Sequence, residues 1–139
     1  MTITAESISA DRFEALLADA SIPVVHRALW LMLWETDVRV LDLLALEVPD
    51  VDLTARRIRP GTAEGAADLG ERATALLAEL VGARTSGPLF AVGSPALRAL
   101  PWEQTVRVAE EHGIAAHAFR ASGRSHRRAE GGDAAPAPA

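Results

Sequence analysis

Positions 24–33 constrain the fold more than any other part of the chain. Eight of these ten residues, Val24, Val25, Ala28, Leu29, Trp30, Leu31, Met32 and Leu33, are apolar, and only His26 and Arg27 interrupt them. Ser21 and Pro23 just upstream form a helix start, because the fixed φ of proline suits a first turn. A helix with almost no polar face is stable in water only when other elements surround it. The stretch is also shorter than the ~20 apolar residues that a membrane span needs. It is therefore expected to run through the centre of one core, with no membrane partner. A chain of 139 residues can build one such core but not two ordinary domains. The start Met1, Thr2, Ile3, Thr4 lacks the basic residues of a signal peptide, so no export is expected.

The flanking segments supply the surround. Ser9 reads as an N-cap, and Phe13, Leu16, Leu17 and Ala20 follow at i, i+3, i+4 and i+7, which predicts an amphipathic helix over 10–20. Thr36 and Asp37 read as a turn, after which Val38, Leu41, Leu44 and Ala45 recur at helical spacing in a third helix with Arg39 near its start. Turn-rich residues 49–53 precede one short expected strand over 56–59, stopped by Pro60 and Gly61. Ala73, Leu76, Leu77, Leu80 and Val81 form another helical stripe, with Gly82 placed as a C-terminal cap. Ser86, Gly87 and Pro88 make a turn, and Pro101 opens a last patterned helix carrying Trp102, Val106 and Ala109 up to Gly113. Small and polar residues at 131–139 offer nothing large to bury and read as a disordered tail. The pattern predicts a mainly α fold with a small β element, an α+β domain over 1–128 followed by a tail over 129–139.

Composition removes whole classes of chemistry. With no cysteine there are no disulfides, thiolate metal sites or cysteine nucleophiles, which points to a reducing, cytoplasmic setting. All 14 basic residues are arginines, so Schiff-base chemistry and a lysine acid are excluded. Asp37, Asp42, Asp50 and Asp52 sit in turn and helix contexts, where a structural role outweighs metal binding; no metal and no cofactor are expected. The net charge of -5 opposes a strong non-specific grip on nucleic acid, which basic charge would drive. A local basic run, Arg120, Arg124, His126, Arg127 and Arg128, stands against that balance, either as contacts to a DNA backbone or as a solvated C-terminal face. Trp30 and Trp34, at i and i+4 on the most apolar helix, read as core and not as a base-stacking platform.

Two arginines stand out by their context. Arg39 lies in Thr36, Asp37, Val38, Arg39, Val40, Leu41, Asp42, Leu43, with Leu46 beyond, and Arg120 closes His117, Ala118, Phe119, Arg120. The first segment resembles the T-G-L-R-x-S-E-L-x-x-L motif of the tyrosine recombinases, the phage integrase family, with Asp37 at the usual glycine and Leu41 at the usual serine. The second resembles that family's H-x-x-R box, and residues 46–53 resemble its L-x-x-x-D-V-D-L turn into a small sheet. The resemblance spans roughly residues 9–120. It implies a fold like the family's catalytic core, with Arg39 and Arg120 clamping a phosphate through their planar forks and His117 as an acid-base group. Without the family context, the bland reading of His117 and Arg120 is a pair at a helix start on a solvated face.

The departures carry as much weight. The hairpin lysine expected of the family has no counterpart in 59–70, Ala121 stands where the histidine after the H-x-x-R arginine is common, and the chain contains no tyrosine at all. Without that nucleophile the covalent intermediate cannot form. The resemblance therefore implies a truncated catalytic domain, a DNA-associated protein linked to recombination or integration and unable to cleave DNA alone. Double-stranded DNA is the expected partner, with Arg124, Arg127 and Arg128 as backbone contacts, and a full-length recombinase is a second candidate partner. The rival expectations are a non-enzymatic regulator that binds protein, and a decayed remnant with no selected role.

Overall fold

The computed structural model describes residues 7–58, 67–93 and 96–134, the last five of these as backbone only. Ser9 caps α1 (Ala10–Leu17), its hydroxyl accepting from the Arg12 amide at 3.1 Å. The helix stops short of the expected residue 20. Asp19 Oδ1 accepts from both the amide and the hydroxyl of Ser21, at 2.9 and 2.5 Å, and this local turn competes with another helical turn.

Pro23 then delivers an extended residue into α2 (Val24–Glu35), where nine of twelve residues are buried. This is the central helix that its composition requires. Trp30 stacks on Phe119 at 4.7 Å between ring centroids and Trp34 on Phe13 at 4.1 Å, so both tryptophans belong to the core. After the short α3 (Val40–Leu44) comes a single 3-10 turn, Val48–Asp50, in which Asp50 Oδ2 accepts from the Glu47 amide at 2.8 Å.

Three two-residue strands follow, β1 (Val51–Asp52), β2 (Arg57–Ile58) and β3 (Ala67–Asp68). They form an antiparallel sheet in the order β1-β2-β3, with Val51 opposite Ile58 and Ile58 opposite Ala67. The helix α4 (Glu71–Val81) ends at Gly82, whose φ of 56° suits a residue without Cβ. A second antiparallel pair, β4 (Ala91–Val92) and β5 (Arg98–Ala99), leads to α5 (Trp102–Glu111), with Pro101 as its N-cap, and then to α6 (Ala118–Ala134).

The architecture is α+β, mostly helical with small antiparallel sheets. The expectation of one strand is corrected to five among the described residues, and the reason is length: two residues cannot display an alternating pattern. The backbone of α6 is helical through Ala134, four residues into the segment that composition marks as a tail. Residues 135–139 of that tail, the lysine-free stretch 59–66 and the N-terminal residues 1–6 lie outside the described residues.

The helices α4 and α6 make the most extensive contacts with α2. Close approach of α6 depends on Gly123, where an added Cβ would lie 2.6 Å from the Trp34 Cα and closer still to its carbonyl. Ser122 accepts from the Ile8 amide at 2.9 Å, fastening the segment before α1 to the same helix. Among the described residues no helix is long and apolar enough to cross a membrane.

Candidate functional site

The site grows from the way α2 ends. Thr36 is buried; its hydroxyl donates to the Met32 carbonyl at 2.7 Å and accepts from the Val38 amide at 3.3 Å. These bonds turn the chain out of the helix into extended backbone, in which successive side chains face opposite sides. Thr36 and Val38 consequently point inward, while Asp37 and Arg39 are exposed.

On α6, Phe119 and Gly123 face the core, and Arg120, Arg124 and Arg127, spaced i, i+4 and i+7, share a neighbouring face. That face meets the loop between α2 and α3. Arg120 Nη2 donates to the Asp37 carbonyl at 2.9 Å. The Asp37 carboxylate Oδ1 accepts from Arg124 Nε at 3.3 Å and from Arg127 Nη2 at 2.9 Å, and Arg127 Nη1 donates to the Trp34 carbonyl.

Desolvation acts to raise the Asp37 pKa, but the hydrogen bond from Arg124 and the fields of Arg127, Arg124 and Arg120 outweigh it and hold the carboxyl below its ordinary 3.8. Asp37 is thus ionised at neutral pH and ringed by guanidinium groups. Arg120 is half-buried, and its Nε is buried without a hydrogen-bond partner.

Two hollows flank this contact. A pocket of about 520 Å3 has an apolar wall of Leu33, Val40 and Trp102 and a polar side formed by His117 and the guanidinium groups of Arg120 and Arg124. A shallow groove of about 600 Å3 is lined by Asp37, Arg124, Arg127 and Arg128.

Of the six residues singled out from sequence, His117, Arg120 and Arg124 share the pocket, and Arg124, Arg127 and Arg128 share the groove. Arg39 lines neither. It is exposed, two residues from Asp37 and next to pocket residue Val40, and makes no side-chain hydrogen bond or ion pair among the described residues. Arg120 is therefore bonded to the same loop that presents Arg39.

By sequence Asp37 reads as a turn residue, and little local to it reveals its place amid three arginines. The one signal was that an acidic residue replaces the glycine of the similar motif. Among the described residues, no group of three or more His, Asp or Glu side chains is placed to hold a metal ion.

No protein-family model matches the sequence, and no curated protein matches it. The fold does have solved counterparts. The crystal structure of XerA recombinase superposes with a TM-score of 0.75 over 94% of this chain and 52% of that one, at 20% sequence identity. The chain thus spans about half the length of that protein, and the likeness is one of fold.

Proposed function

We propose that this chain is an integrase-like, DNA-associated protein related to site-specific recombination, which holds backbone phosphates without cutting them. The observation that carries the reading is the convergence of α6 arginines on the loop of Arg39, in a fold similar to a recombinase. Arg39, from the adjoining loop, offers a planar fork that matches two phosphate oxygens, Arg120 adds a guanidinium from its pocket, and Arg124, Arg127 and Arg128 extend the cationic face along the groove. His117 is the acid-base group beside the clamp. The sequence has no tyrosine to attack the phosphate and no lysine to protonate a leaving hydroxyl, so the arrangement supports binding and transition-state charge stabilisation but not covalent cleavage by this chain alone. The absence of cysteine accords with a cytoplasmic setting.

The test is titration of labelled duplex DNA by fluorescence anisotropy at low and moderate salt, comparing the native chain with Arg39→Ala and Arg120→Ala. Expected is salt-sensitive binding, with each substitution weakening affinity and reducing the log-log salt slope by about one. No binding at low salt overturns the DNA reading. It would leave the second reading, a regulator that binds protein, a full-length recombinase among the candidates; the apolar wall of Leu33, Val40 and Trp102 and the exposed Leu41 favour it.

A further inference from the structure

We infer that the Asp37 carboxylate is an internal occupant of the arginine groove, an autoinhibitory contact that an incoming phosphate must displace. The inference rests on the proposed phosphate-binding role of that face, and it adds how access to the face is controlled.

The geometry is that of an anion already seated. One carboxylate oxygen takes hydrogen bonds from Arg124 and Arg127 together, at 3.3 and 2.9 Å, and the carbonyl of the same residue takes one from Arg120 at 2.9 Å. Carboxylate and phosphate oxygens compete for the same guanidinium donors. Among the described residues the groove is lined by Asp37, Arg124, Arg127 and Arg128, so a phosphate entering it meets the carboxylate at once, as a competitor for donors and as a like charge.

The contact is built to give way. The Asp37 side chain is 67% exposed and sits on a loop, whereas the arginines project from a helix packed on the core. Exposed pairs of this kind are weak and screened by salt, so the carboxylate can rotate out without unfolding anything. Arg39 is exposed two residues along the same loop, so the segment that carries the blocking anion also carries a cation for the ligand that replaces it.

Two probes on the whole chain test this: inorganic phosphate, followed through the backbone amide resonances of residues 120–128, and a short labelled duplex, followed by anisotropy. Asp37→Asn keeps the shape and an acceptor oxygen and removes the charge; Asp37→Gly removes the side chain.

Both variants are expected to bind each probe roughly threefold or more tighter than the native chain. The gain is expected to vanish when Arg124→Gln and Arg127→Gln are added. Phosphate affinity equal in the native chain and both variants overturns the autoinhibitory contact, whatever the duplex does. Tighter phosphate binding by the variants without duplex binding upholds the contact and overturns the DNA reading instead. Matching thermal melts for native chain and variants establish that the comparison is between folded proteins.

Discussion

His26 shows how a single residue inherits a property from its surroundings. It lies on the most apolar helix, is 2% exposed, and its Nδ1 has no hydrogen-bond partner. Desolvation lowers its pKa from the ordinary 6.5; Glu111 acts in the opposite direction, and His112 adds to the lowering. The folded state therefore holds His26 neutral at pH values where the unfolded chain binds a proton. Stability from this group is present above pH 6.5 and is lost as pH falls through and below that value. Thermal melts from about pH 7.5 down to about 5.5 are expected to show a falling Tm in the native chain and a flatter profile in His26→Gln. Parallel profiles would mean that His26 is not held neutral. Asp37, with its lowered pKa, contributes in a separate window below 3.8, so the two groups can be told apart.

Two glycines at element ends and crossings differ in why they are needed. At Gly82 a Cβ would meet nothing within 4 Å, so Gly82→Ala costs only the backbone strain of a positive φ, about 1–3 kcal/mol. At Gly123 the surroundings, not the dihedral, decide. Alanine would gain about 1 kcal/mol of helix propensity, yet its Cβ would press on the Trp34 backbone, which can yield only if α6 lifts from α2. Gly123→Ala is expected to lower the unfolding free energy in urea by about 2 kcal/mol or more, and because α6 carries Arg120, Arg124 and Arg127, to weaken duplex binding as well. Unchanged stability in Gly123→Ala would show that the two helices are not so closely apposed.

At the scale of the molecule, the net charge of -5 opposes DNA, and the α6 arginines favour it locally. On the proposed reading, local contacts decide affinity at low salt, where neutralising the few phosphates in reach releases counterions, so binding is expected to be lost between about 50 and 200 mM salt. Incubation with a nicked duplex is expected to give no covalent protein–DNA adduct, checked on a denaturing gel, because the sequence holds no tyrosine. A denaturant-resistant adduct would require a nucleophile other than tyrosine.

The helices were legible from residues alone because each carries its own evidence: Phe13, Leu16 and Leu17 on α1, the apolar run of α2, and Ala73, Leu77 and Val81 ending at Gly82 on α4. The strands were not, since Val51–Asp52 and Arg98–Ala99 are too short for a period to register and exist through their partners. His117 and Arg120 could be picked out because only two residues separate them and a known motif orders them. The role of Asp37 could not, because its three arginine partners stand 83, 87 and 90 residues away in sequence. Amphipathic periodicity is a local property and belongs to the sequence; which charge neutralises which is a matter of distances that exist only after α6 has packed across the end of α2.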